Sequence, residues 1–119
     1  MEIEDLLAKL RREPDSVEFE EVQAVIKANY RYVASAFRNG SADDHVDNAA
    51  GSNEGSCRIF AFARLHGLDK AETLACFGRY YRDDVLGHPQ GSDHANIRTF
   101  MRHGPHGIDF AGDALLPVS

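Results

Sequence analysis

The sequence predicts a mainly α-helical fold, a compact bundle of about five helices in a single domain over residues 1–119. Apolar residues recur at helical spacing in several segments, and no convincing pair of strands with alternating polarity is visible. The length of 119 residues, 43% of them hydrophobic, is enough for one core and too short for two. We therefore expect one mainly helical domain.

The first two predicted helices are amphipathic. Apolar spacing places the first between Ile3 and Leu10, and Pro14 ends it. Asp15 and Glu18 form a capping box that starts the second helix. Its apolar face carries Phe19, Val22, Ile26 and Tyr30. The combined apolar and acidic surface of these two helices is a candidate docking face for a partner.

A long polar loop is predicted between the second and third helices. Residues 41–52 consist mainly of Ser, Asp, Asn, Ala and Gly, and they show no periodicity. The segment Asn48–Ser56 leads directly into the next helix, where small residues and amides can present backbone N–H groups to an anion. The alternative is that these residues only cap the helix and turn the chain.

The most apolar segment, Glu54–His66, predicts a central helix that Gly67 ends. Asp69 and Glu72 form a capping box for a further helix, in which Gly78 permits close approach to a neighbour.

The last helix is predicted to follow a cap at Ser92 or Asp93 and to end at Gly104. The segment Ile108–Phe110 is predicted to form a short strand or an extended arm over the core.

Charge and composition exclude several classes of function. The net charge of −6 disfavours nucleic acid and anionic membranes as partners. No apolar run approaches the roughly 20 residues that span a bilayer, and the acidic start is unlike a secretory signal peptide. We expect Cys57 and Cys76, which lie in apolar helical patterns, to be buried and reduced in a bacterial cytoplasm.

The second half of the chain is the better place for a binding site. Residues 57–119 carry equal numbers of acidic and basic side chains, together with five of the six histidines. Arg82 and Arg98 flank a glycine- and proline-rich turn, where two guanidinium groups suit a small anion. We predict that Arg82, His94 and Arg98 face a common cleft. The candidate ligand-binding residues are Asn53, Cys57, Tyr81, Arg82, Asp83, His94 and Arg98.

Other interpretations of the same segment stay open. The arginines can simply pair with neighbouring aspartates, and Cys57 with His94 would form a nucleophile–base couple. A mixed metal site is a weaker alternative; its ligands would be Asp84, His88, Asp93 and His94. Nucleophile-elbow, P-loop and dinucleotide-binding motifs are absent from the sequence. We therefore predict no cofactor and no resident metal.

Four runs resemble the HopJ type III effector family: Phe37–Gly40, Asn48–Cys57, Thr73–Leu86 and Gly91–Met101. The resemblance covers nearly the whole chain, although Pro105–His106 stands where a tryptophan is expected. It implies a protein that bacteria inject into a host cell, without implying a known reaction. Our leading hypothesis is that it acts by binding a partner, such as a host protein, without catalytic turnover. The alternative is a bacterial cytoplasmic enzyme or small-ligand-binding protein with a polar Arg/Asp/His cleft.

Overall fold

The computed structural model describes residues 1–118, and over this range the fold is α+β, not the predicted helical bundle. Five α-helices, a π-helical turn, two 3-10 turns and five strands follow one another along these residues. In chain order the main elements are α1 (Ile3–Arg12), α2 (Phe19–Asn29), β1 (Tyr30–Tyr32), β2 (Phe37–Gly40), β3 (His45–Asn48), α3 (Glu54–His66), α4 (Lys70–Ala75), the π-helical turn Tyr80–Val85, α5 (Ala95–His103), β4 (Ile108–Phe110) and β5 (Leu115–Pro117).

Two small antiparallel sheets correct the predicted fold class. Strands β3, β2 and β4 form one sheet in that order, and β1 pairs with β5 in the other. The predicted polar loop after α2 thus contains a hairpin, the segment Ile108–Phe110 forms β4 as one of its two predicted forms, and β5 was not predicted. Apart from β4, whose residues alternate between apolar and polar, these strands are three or four residues long and show no clear apolar alternation. Pairing between distant segments stabilises them.

Helix α3 lies at the centre of the core and has the predicted bounds. Phe60 is 2% exposed, and its ring lies 5.8 Å from that of Phe37, 5.6 Å from that of Phe77 and 5.0 Å from that of Phe100. The Phe60 ring therefore belongs to one aromatic cluster with Phe37 of β2, with Phe77, which follows α4, and with Phe100 of α5. Gly67 ends the helix with φ +62°, a left-handed conformation that glycine adopts at little cost.

The apolar faces of α1 and α2 are used inside the molecule. Leu6 and Leu10 of α1 and Val22 and Ile26 of α2 are at most 2% exposed. Helix α2 begins with a capping box between Glu18 and Glu21, three residues later than the predicted box. These apolar side chains are therefore not available as the docking face that the sequence suggested.

Gly78 interrupts the helix that was predicted to follow the capping box of Asp69 and Glu72. Its φ is +59°, and a Cβ there would lie 2.7 Å from the backbone nitrogen of Phe19. The close approach predicted at this glycine is confirmed, but the partner is the start of α2. After this turn the chain continues as the π-helical turn, in which the Leu86 N–H donates to the Tyr81 carbonyl at 3.0 Å.

Both cysteines are free and buried, as predicted. Burial raises the pKa of Cys76 to about 12, and burial also raises the pKa of Cys57. The thiols are therefore protonated at neutral pH and poorly nucleophilic.

Within residues 1–118, none of the helices combines the length and the apolar character that crossing a membrane requires.

Candidate binding cleft

A cleft of about 460 Å³ lies where the start of α3 meets the start of α5. It joins the two segments that the sequence singled out, the one before α3 and the one before α5. Its lining combines polar backbone with aromatic and aliphatic side chains. The lining residues are Phe19, Val46, Asn53, Gly55, Ser56, Phe77, Tyr80, His94, Ala95, Asn96 and Ile97.

The residues that precede the two helices share an unusual conformation. Asn53 has φ 51° and ψ 49°, and His94 has φ 51° and ψ 50°. Both are left-handed, and they are the non-glycine residues with positive φ among residues 1–118. Asn and His tolerate this conformation better than most residues. A left-handed residue followed by a right-handed helix curves successive N–H groups around a concave space suited to an anion.

Neither of these helices has a side-chain cap at its N-terminus. Among residues 1–118, no protein acceptor is found for the first three N–H groups of α3 or for those of α5. Five of these donors belong to lining residues: Gly55, Ser56, Ala95, Asn96 and Ile97. The positive ends of two helix dipoles therefore meet at one cleft.

A network of buried amides supports the cleft from below. The Asn96 Nδ2 donates to Asn48 Oδ1 at 2.8 Å, and the Asn53 Nδ2 donates to the same oxygen at 2.7 Å. The Asn39 Nδ2 donates to Asn96 Oδ1 at 3.1 Å and to the Asn96 carbonyl at 2.8 Å. Side chains from β2, β3 and α5 thus hold the two helix starts at a fixed separation.

Aromatic rings form one wall of the cleft. Phe19 and Tyr80 pack edge to face at 5.2 Å, and the ring of Tyr80 lies 5.5 Å from that of His94. Gly55 permits this arrangement, because a Cβ there would lie 2.8 Å from Phe19 Cζ. The wall gives the cleft an apolar face beside its polar end.

No acidic residue lines the cleft, and the nearby carboxylates of Asp84 and Asp93 lie outside the lining. His94 lies with its Nε2 3.0 Å from Asp84 and 3.8 Å from Asp93. Asp93 is itself paired with Arg98 at 2.7 Å, and this hydrogen bond lowers the pKa of Asp93. The aspartates orient the imidazole at the rim, while the backbone donors stay free.

The structure brings Asn53 and His94 together and distributes the other candidate residues elsewhere. Cys57 lies in the core, 3.8 Å from the Ser35 carbonyl, and Tyr81 packs against the core. Asp83 is exposed, and its carbonyl accepts from the Gly87 N–H at 3.1 Å.

The two arginines of the predicted anion clamp have separate protein partners. Arg82 donates to the Val17 carbonyl at 2.8 Å and to Glu18 at 3.1 Å, which fixes the start of α2. Arg98 donates to Asp93 and to the His88 carbonyl. Arg98 and His94 share Asp93, but neither arginine lines the cleft.

For the alternative metal site, residues 1–118 contain no group of three or more His, Cys, Asp or Glu side chains placed to bind an ion. His88 Nδ1 instead donates to the Asp84 carbonyl at 3.2 Å.

Sequence reasoning missed Phe19, Tyr80 and Asn96 as parts of the cleft. Phe19 lies on the predicted apolar face of the second helix, which is typical of a core residue, and Tyr80 lies outside the predicted apolar register of its segment. Asn96 carries a recognisable signal, since an amide within the first turn of a helix competes with the helical backbone. Its buried partners become apparent only in the sheet.

The fold and the cleft define the chain first as a small α+β protein with a polar cleft between two helix N-termini. The sequence profile of the family described as HopJ type III effector protein matches residues 3–115. The chain belongs to this family, as the resemblance indicated. No curated protein matches the chain.

A solved structure supports the same fold. The chain is similar to a crystal structure of VPA0580, a protein of unknown function, with 49% sequence identity and a TM-score of 0.93. The alignment covers 99% of this chain and 95% of that one. The fold is thus shared over almost the full length of both chains.

Proposed function

We propose that this HopJ family member acts by binding a small anionic ligand in the cleft between α3 and α5. The observation that carries the proposal is that two uncapped helix N-termini, each preceded by a left-handed residue, meet at this one cleft. An anion there would accept from unpaired N–H groups and would interact favourably with both helix dipoles.

The wall formed by Phe19 and Tyr80 indicates what the rest of the ligand is like. An anion alone needs only the N–H groups, whereas about 460 Å³ beside aromatic rings accommodates a larger organic body. The ligand that fits best carries a phosphate or carboxylate next to a flat or apolar portion. His94 at the rim uses its Nε2 at Asp84, so its Nδ1 would donate to the anion only when the imidazole is protonated.

The family relationship supports a host cell as the place where this ligand is bound. Binding a host protein through the apolar side of α1 and α2 is less favoured, because those side chains are buried in the core. We infer that the protein is delivered through type III secretion. A translocation assay that compares bacteria with and without a working secretion apparatus tests this inference.

Ala95 offers a direct test of the cleft. It is exposed, lies in the first turn of α5 and lines the cleft, so Ala95→Asp would place a carboxylate where the anion is proposed to bind. Inorganic phosphate, titrated against the labelled protein, should shift the amide signals of Gly55, Ser56, Asn96 and Ile97. Ala95→Asp should weaken phosphate binding at least about tenfold, since the fixed carboxylate competes for the same donors.

Two variants separate this effect from general changes. Ala95→Asn introduces a side chain of nearly the same size as aspartate but without its charge, so this variant should still bind phosphate. Ala71→Asp adds the same carboxylate to the exposed first turn of α4, away from the cleft, and should also leave binding unchanged. Phosphate shifts that are absent, or that Ala95→Asp and Ala71→Asp reduce equally, would overturn the proposal.

A further inference from the structure

A second cleft, of about 430 Å³, lies between the C-terminal half of α3 and the turn that follows α5. It shares no lining residue with the first cleft, so the two are separate sites. Its lining residues are Phe60, Ala63, Arg64, Gly67, Leu68, Thr73, Phe100, Pro105, His106 and Ile108.

The inner part of the second cleft is apolar. Phe60, Leu68 and Phe100 are buried core residues, and Ile108 is half-buried. Thr73 adds little polarity there, because its hydroxyl already donates to the Asp69 carbonyl at 2.7 Å. A ligand body placed against these side chains would have to be apolar itself.

The mouth of the second cleft is polar and carries Arg64 and His106, both exposed. Within residues 1–118 neither side chain makes an ion pair or a hydrogen bond, whereas Arg79, Arg98 and Arg102 are all paired with carboxylates. No acidic residue lines this cleft. The mouth thus presents an uncompensated guanidinium group at the edge of an apolar cavity.

We propose that the second cleft binds a small amphipathic monocarboxylate. The apolar body lies against Phe60, Leu68 and Phe100, and the carboxylate accepts from the Arg64 guanidinium, with His106 as a second donor. A guanidinium fork matches a carboxylate in shape and charge. A neutral ligand of the same length leaves Arg64 without a partner and therefore binds less tightly.

Octanoate and 1-octanol are matched probes, because they have the same chain length and differ in the charged end. In titrations followed by amide signals of the full chain, octanoate should shift Ala63, Thr73 and Ile108 and leave Ala95 unchanged. Arg64→Gln should weaken octanoate binding about tenfold, the usual loss when a charge-assisted hydrogen bond is removed, and should change 1-octanol binding less than about twofold.

Arg31→Gln is the control, since Arg31 is another exposed arginine that lies on β1 and does not line the cleft. It should bind octanoate like the wild type. The proposal fails if octanoate shifts none of these signals up to about 10 mM, a concentration above the weak-binding range. It also fails if Arg64→Gln and Arg31→Gln weaken octanoate equally, or if 1-octanol loses as much affinity as octanoate. Phosphate binding at the first cleft is unaffected by any of these outcomes.

Discussion

The helices that meet at the first cleft begin differently from those that do not. Helices α1, α2 and α4 each begin with a reciprocal capping box built from acidic side chains. Helices α3 and α5 begin with Asn53 and His94 in a left-handed conformation and have no cap. In the first group an acidic side chain of the first turn accepts from the N-cap N–H, and in α4 Asp69 also accepts from the Glu72 N–H. In the second group no carboxylate within residues 1–118 accepts from the start of the helix, so its first N–H groups are open to a ligand.

This difference indicates that the N-termini of α3 and α5, at the cleft, are locally less stable than the N-termini of α1, α2 and α4. A cap contributes about 1 kcal/mol, and a left-handed non-glycine residue costs about the same. Both are unfavourable at α3 and α5, and the buried amides of Asn39, Asn48 and Asn96 offset them. Residues in strained conformations persist where the surrounding structure fixes them, and such residues are frequent at functional sites.

The largest effect is expected when the amide network is removed. Asn96→Ala should lower the free energy of unfolding by about 2 kcal/mol, because Asn39 and Asn48 lose partners in a buried environment. Asp69→Ala, which removes a cap at α4, should cost about 1 kcal/mol. Urea denaturation measures both. Equal losses would mean that the uncapped ends need no more support than the capped ones.

The two variants should also differ in ligand binding. Asn96→Ala should weaken phosphate binding, because the network positions the starts of α3 and α5 relative to each other. Asp69→Ala should leave phosphate binding unchanged, since α4 does not line the first cleft. A reversed order would contradict the comparison between the two groups of helices.

The same comparison explains which parts of the fold the sequence predicted. The capping box of Asp69 and Glu72 and the helix Glu54–His66 depend on neighbours along the chain, and both were predicted with the right residues. The pairing of β2 with β4 places Phe37 opposite Phe110, although the two residues are far apart in sequence. Local sequence patterns do not indicate which segments pair.

The candidate site shows the same division. Asn53 was identified because it lies in the polar segment that leads into α3, and His94 because it belongs to the cluster of Arg, Asp and His around the turn before α5. Arg82 and Arg98 were identified by charge alone, and charge does not reveal that a carbonyl such as that of Val17 will accept the hydrogen bond. A guanidinium group pairs with whatever acceptor the fold brings near, so its partner depends on tertiary structure.

A smaller effect should separate the backbone requirement at His94 from its side chain. His94→Gly and His94→Ala both remove the contact with Asp84, but only alanine is strained at φ 51°. His94→Ala should therefore be less stable than His94→Gly by about 1 kcal/mol, with His94→Asn close to glycine. Thermal unfolding measures the series. Equal stability of the alanine and glycine variants would show that the left-handed conformation is not required.

The smallest effect concerns the C-terminal end of α5, where Arg102 and His103 contact Asp44. Asp44, in the turn between β2 and β3, accepts from Arg102 at 2.7 Å and lies 2.6 Å from the His103 Nε2. Hydrogen bonds from Arg102 and then from His103 lower the pKa of Asp44 below its ordinary value. A carboxyl whose folded pKa is depressed contributes stability above its unfolded pKa, near about 4, and loses that contribution as the pH falls through the folded pKa.

Asp44→Asn should therefore be less stable than the wild type at pH 7, and the difference should shrink steadily as the pH falls below about 4. The loss should be smaller than at Asn96, because the pair is exposed and solvent screens it. Urea denaturation across this pH range measures the difference, and added salt should reduce it. Asp43→Asn, at an exposed neighbour without an ion pair in the described part of the chain, should match the wild type throughout. A difference between Asp44→Asn and the wild type that persisted unchanged at the lowest pH would show that the side chain acts through its shape and hydrogen bonds. The charge of Asp44 would then contribute nothing to the stability of this end of α5.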